Sequence, residues 1–145
     1  MLDRTRTLDY HRRPDTNLAE TIMPNSFVHT ELNTTDPKQA KEFFAKLFDW
    51  TLEDMDMGPG GIYTMIKAGE GMGSGGGIMQ HPMPGAPSVW VPYVLVDDLK
   101  ASTDKARSLG AQIIKENVPV PNMGTFSIIA DPTGAVLGLW QAAAK

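Results

Sequence analysis

From residue 26 onward the chain alternates between apolar and polar positions, with helical stretches between. "SFVHTELNTT" (26–35) repeats with a period of two, as a strand does. Asp36-Pro37 follows, an N-cap with proline at the first helical position, and Gln39 stands where a capping box wants it. Ala40, Phe43, Phe44 and Leu47 then fall at i, i+3, i+4 and i+7, one face of a helix. Three short strand-like runs come next, "TLEDMDM", "GIYTMIKA" and "GGGIMQH", divided by glycines. "HPMPGAPS" (81–88) reads as a connector. The same order then returns. "VWVPYVLV" (89–96) is a strand, and Asp98 caps a helix with apolar positions Leu99, Ala106 and Leu109 and with Gly110 as its stop. "AQIIKENVPV", "GTFSIIA" and "AVLGLWQ" are strands again.

The chain therefore carries one β-α-β-β-β unit twice. Setting Asp36 on Asp98 puts Leu47 on Leu109 and His29 on Val91, while "GIMQ" (77–80) falls on "GLWQ" (138–141). Such a repeat within one domain-sized chain implies two pseudo-symmetric modules, about 26–81 and 88–142, in a single domain over 26–145. The predicted class is α+β, two modules sharing one mixed sheet with the helices outside; if the modules curve toward each other, they form a cup. Residues 1–25 lack this periodicity, and Arg4, Arg6, Arg12 and Arg13 are offset by Asp3, Asp9, Asp15 and Glu20. They read as an arm, either loose or wrapping a partner subunit through Leu8, Tyr10 and Leu18.

Alternation also assigns faces. Val28, Thr30 and Leu32 share one side of the first strand; Phe27, His29, Glu31 and Asn33 share the other. The helix needs apolar ground, so it should cover Val28 and Leu32. In the second module the far side carries Val89, Val91, Tyr93 and Leu95. Met79 and Trp140 alternate with Gly77 and Gly138 and are assigned to the cup side as well. One polar wall facing one apolar wall suits a small organic molecule.

Composition narrows the field mainly by exclusion. The 145 residues carry a formal charge of −4, which argues against a nucleic-acid partner. No apolar run is long enough to span a bilayer, and no export signal is visible, so the chain reads as cytoplasmic. There is no cysteine, which removes thiolate catalysis, disulfides and Cys-type zinc sites. Gly71, Gly73 and Gly76 match the spacing of a dinucleotide loop, but the run leads into "GIMQH" and prolines, not into the helix that would hold a phosphate. No G-x-S-x-G elbow occurs. Met55, Met57, Met65 and Met72 read as filler, not as a soft-metal box, and His11 and His81 fall in loops.

"VHTELNTTDPKQAKEFFAKLFDW" opening the first module and "DPTGAVLGLWQ" closing the second resemble the glyoxalase/bleomycin resistance/dioxygenase (vicinal oxygen chelate) superfamily over about residues 26–142. The form most similar is the glyoxalase-like domain found in tandem in some actinobacterial antigen and hydroxylase-like proteins. The resemblance implies a cup of paired modules, often in a homodimer. In metal-dependent members it implies four cup positions for a divalent ion. Carried onto this chain these are His29, Val91, Gly77 and Gly138, of which only His29 has a donor atom. No metal is therefore expected, since a zinc, nickel or iron site wants three or more protein ligands.

Three functions follow as expectations. The first is a metal-free protein binding a small organic molecule through Phe27, His29, Glu31, Asn33, Gly77, Met79, Val91, Tyr93, Gly138 and Trp140. The second is a glyoxalase-like lyase or dioxygenase with an unusual ligand set, in which His29 and Glu31 do the catalytic work. The third is a structural or interaction module with a filled cup.

Overall fold

A computed structural model describes residues 24–70 and 75–144. The arm expected over 1–25 lies, but for its last two residues, outside the described residues; so do His11 and Met72. The elements are β1 (Phe27–Thr34), α1 (Pro37–Leu47), β2 (Thr51–Asp56), β3 (Ile62–Lys67), β4 (Gly75–Gln80), β5 (Val89–Leu95), α2 (Leu99–Ser108), β6 (Gln112–Val120), β7 (Gly124–Ala130) and β8 (Val136–Ala142), with a 3₁₀ turn at Gly58–Gly60. They form one eight-stranded mixed sheet in the order β2-β3-β4-β1-β5-β8-β7-β6. β1 runs parallel to β4 and β5 parallel to β8; β1 and β5 join the halves antiparallel. The fold is α+β, as the repeat predicts. The glycine-rich run enters β4, a strand, and not a helix.

Local chemistry fixes the helix starts. The Asp36 carboxylate accepts from the Gln39 N–H at 3.0 Å, and the Asp98 carboxylate accepts from the Ala101 N–H at 3.0 Å. The return arm of the first capping box is supplied differently: the Asp36 N–H donates to the Thr34 hydroxyl at 3.2 Å, so Gln39 is not needed for it. Gly110 ends the second helical unit with φ +98°, a conformation that favours glycine.

Each helix packs on its own apolar patch of the sheet. Leu32, Ile66 and Ile78 pack with Ala40, Phe44, Trp50 and Leu52 beneath α1. Val96, Leu99, Ile129 and Leu139 pack with Ala106, Ala111, Ile113 and Leu137 beneath α2. Three expected core positions stay outside. Phe43 and Leu47 are exposed because α1 reaches the sheet through Ala40 and Phe44 alone, leaving the rest of its stripe uncovered. Leu109 is 68% exposed because it is the C-cap, where the chain leaves the helix for the Gly110 turn.

One irregularity alters the face assignment. The pairing of β1 with β5 shifts between Phe27 (opposite Val94) and His29 (opposite Tyr93). This bulge reverses the alternation at the start of the strand. Val28, expected beneath the helix, lines the concave face instead. Phe27, expected in the cup, is 63% exposed and outside the cup lining. Among the described residues no helix is long and apolar enough to cross a membrane.

Candidate functional site

The face of the sheet away from the helices carries a half-open cavity of about 1010 Å³, lined by residues of all eight strands. That is at the upper end of ordinary small-molecule sites, which run to roughly 1,000 Å³. Antiparallel register places His29 opposite Tyr93, Glu31 opposite Val91 and Asn33 opposite Val89, all toward the cup. Met79 and Trp140 also line it. So seven of the residues expected to contact a ligand (His29, Glu31, Asn33, Met79, Val91, Tyr93 and Trp140) are brought together. Gly77, Gly138 and Phe27 are not on the surface of the cavity.

The two glycines are explained by their neighbours. A side chain on Gly77 would run into the phenol of Tyr63, and one on Gly138 into the ring of Tyr93. The space expected to stay open for a ligand is thus filled by tyrosines of adjacent strands. These rings deliver their hydroxyls to one carboxylate. Tyr63 donates to Glu31 Oε2 at 2.8 Å and Tyr93 donates to Glu31 Oε1 at 3.2 Å. His29 Nε2 lies 2.7 Å from the Tyr63 oxygen. Tyr63 spends its only proton on Glu31, so the histidine is the donor in that contact, and its Nδ1 keeps a lone pair.

Tyr63 was not singled out by sequence reasoning. The signal was there: Gly77 stands opposite Met65 in the β3–β4 hairpin, and Tyr63 is the next residue on that face. The methionines expected as filler form a wall. Met55, Met57 and Met65 line the cup with Met79, Met83 and Met123. His81 is at the rim, its Nδ1 accepting from the Met83 N–H at 3.0 Å.

Burial sets the protonation of the cluster. Glu31 is 9% exposed, and desolvation pushes its carboxyl above the ordinary 4.5, opposed by the hydrogen bonds from Tyr63 and Tyr93, the charge of Lys115 and the bond with Asn33. Desolvation also raises both phenols, with the Glu31 charge adding to it. His29 is held below its ordinary 6.5 by burial, so the ring is neutral near pH 7. The arrangement is a proton-bearing chain with a basic carboxylate at its centre and a free imidazole nitrogen at its end.

A divalent metal does not fit the positions that the resemblance implies. Val91 has no donor, and side chains at 77 and 138 would meet Tyr63 and Tyr93. Among the described residues no three His, Asp or Glu side chains converge.

Two outcomes are expected. Gly138→Ala should cost about 1–3 kcal/mol in urea unfolding, as overpacking does, and should cost far less in a Tyr93→Ala background. An equal cost in both backgrounds would rule out the ring contact as its cause. The second outcome concerns pH. Because the His29 value is lowered on folding, its contribution to stability is whole above pH 6.5 and is lost as pH falls through the folded-state value. Glu31 has the opposite sign: its contribution is whole below pH 4.5 and is lost as pH rises through its raised value. Between about pH 7 and pH 5 the wild type should lose more stability than His29→Gln. Parallel stability curves would show that the imidazole is not desolvated.

Comparison with known proteins agrees with this architecture. The chain is 35% identical over 118 residues to "Putative glyoxylase CFP32" of Mycobacterium tuberculosis, covering 81% of this chain and 44% of the relative. It is 27% identical over 126 residues to "Anthracycline biosynthesis protein DauV" of a Streptomyces species, covering 77% of this chain and 45% of the relative. The chain thus spans less than half the length of the curated relatives it matches. Among solved structures, methylmalonyl-CoA epimerase from Mycobacterium tuberculosis superposes with a TM-score of 0.64 at 15% identity, over 87% of this chain and 95% of that one; at this identity the likeness is one of fold. The family model for the Glyoxalase/Bleomycin resistance protein/Dioxygenase superfamily matches residues 26–139, and this match, which spans both modules, shows that the chain belongs to that superfamily.

Proposed function

We propose that the domain binds a small organic molecule in its cup without a divalent metal. The observation that carries this reading is the cavity itself: about 1010 Å³, walled by methionine, valine, isoleucine and aromatic side chains, with one polar cluster at His29, Glu31, Tyr63 and Tyr93. Apolar walls supply affinity, and a few fixed polar groups supply orientation. Unbranched thioethers adapt to different outlines, which favours a class of ligands over one shape. The open volume speaks against a purely structural module, whose cup would be filled. The donor-poor family positions support the metal-free form.

A second reading rests on the Glu31 cluster. A buried carboxylate of raised pKa beside a neutral imidazole suits general acid–base chemistry, with Glu31 and His29 moving a proton at a bound substrate. It needs the same bound molecule, so the binding test comes first. A thermal-shift screen of aromatic and heteroaromatic compounds should yield saturable stabilisation that chelator leaves unchanged and that Val91→Trp, which fills the cup, removes. About one equivalent of metal per chain, lost with a fall in melting temperature on chelation, would overturn the metal-free reading. A screen without a stabilising compound would overturn the binding reading.

The same proposal includes pairing with a second copy. Phe43, Leu47 and Phe48 leave an apolar stripe at the surface of α1 and its C-cap, and such a stripe supports an interface. Sedimentation equilibrium should give a dimer for the wild type and a folded monomer for Phe43→Glu/Leu47→Glu. A wild-type monomer throughout would remove the dimer from the proposal.

A further inference from the structure

The edge strand β6 is built against its own regularity. Ile113 pairs with Ile129, Lys115 with Ile128 and Val118 with Phe126, so the register slips once before Lys115 and again before Val118. Along β7, Phe126 and Ile128 face the cup, while Ser127 faces α2, where its hydroxyl lies 2.9 Å from that of the buried Thr103. In unbroken register Ile114 would stand opposite Ile128, and Lys115 opposite Ser127, its ammonium driven into the packing under α2. The first slip turns Lys115 to the cup instead. The second restores Val118 to the cup side opposite Phe126. It uses Asn117 at φ +49°, a conformation asparagine tolerates better than most residues, and its N–H donates to the Ser127 hydroxyl at 3.1 Å. Bulges of this kind re-aim side chains and recur beside functional sites.

The neighbouring charge is sent the other way. Glu116 accepts from Arg107 of α2 at 2.8 Å, whereas Lys115 has no hydrogen bond or ion pair among the described residues. Lys115 is the one Lys or Arg in the cup lining among the described residues. The other ionisable groups there are accounted for. Glu31 is occupied by the two phenols, His29 is neutral near pH 7, and His81 is bonded to the Met83 backbone. The charge of Lys115 is felt at Glu31, but no contact ties it there.

We propose that the cup selects organic anions, molecules with an apolar body and a carboxylate, sulfonate or phosphate, and that Lys115 is the counter-charge that selects them. This rests on the binding reading above and narrows it to a chemical class. The apolar body lies against the methionine wall, and the anionic group meets the ammonium at the rim, where Lys115 is exposed.

A matched pair of dyes tests this: 8-anilinonaphthalene-1-sulfonate, and N-phenyl-1-naphthylamine, which lacks the sulfonate. Fluorescence titration of the wild type should show the sulfonate bound several-fold more tightly. Lys115→Met should weaken the sulfonate by about tenfold, the usual scale of a lost charge-assisted bond, and leave the neutral dye unchanged. Lys115→Glu should reverse the preference. Far-ultraviolet dichroism checks that both variants fold, and Val91→Trp must abolish either dye's signal if it arises in the cup. Equal affinities for the two dyes in the wild type, or equal losses in Lys115→Met, would overturn the anion proposal and leave the binding reading standing. Failure of both dyes to bind, or signals that survive Val91→Trp, would overturn both together.

Discussion

The site depends on one buried carboxylate and the two phenols that satisfy it. Removing a carboxylate from water costs several kcal/mol unless hydrogen bonds replace the water, and Glu31 sits near the centre of the sheet, at the junction of the two modules. Its partners come one from each module: Tyr63 on β3 and Tyr93 on β5. Tyr63 reaches it across β4, where Gly77 leaves room for the phenol, and the ring of Tyr93, on the strand next to β1, stands against Gly138 of β8. Among the described residues no buried side-chain polar atom lacks a partner, so the cluster closes around Glu31.

That closure shapes the chemistry of the cup. A carboxylate engaged by two phenols is a weaker acceptor than a free one, while desolvation makes it a stronger base; the two effects oppose each other at a single group. The imidazole is hydrogen-bonded to the carboxylate's partner Tyr63, so a change in the charge of one is felt by the other across a hydroxyl. Around this stiff pole lies a soft wall of thioethers. Rigid orientation on one side and adaptable contact on the other are a suitable combination for ligands that share a headgroup and differ in outline.

The sequence carried the architecture because its signals are local or periodic. Alternation, an Asp-Pro start, Gly110 and the repeat each act over a few residues, and together they give the order of elements. Much of the cup was legible for the same reason: His29, Glu31, Val91 and Tyr93 follow from a period of two. What escaped depends on register between strands distant in sequence. Tyr63 reaches Glu31 across 32 residues. Phe27 and Val28 changed sides because of a slip against β5, and Lys115 entered the cup because of slips against β7. A bulge leaves no trace in the alternation of a single strand read alone. Phe43 and Leu47 fit a helical stripe, yet how much of a stripe is covered is decided by how the helix lies on the sheet, which periodicity does not encode; Leu109 fits one too, but falls on the C-cap, where the chain leaves α2.

The exchange of glycine for tyrosine across adjacent strands bears on how such a cup changes over descent. A carboxylate or imidazole at 77 or 138 cannot be gained one codon at a time, because the tyrosine already fills the space the newcomer needs. Nor can the tyrosine shrink first without leaving Glu31 buried and short of a partner. Each glycine–tyrosine pair would therefore change together, with either single step disfavoured. Lineages that once carried this pairing would drift more readily in their methionine walls than at the pole of the cup.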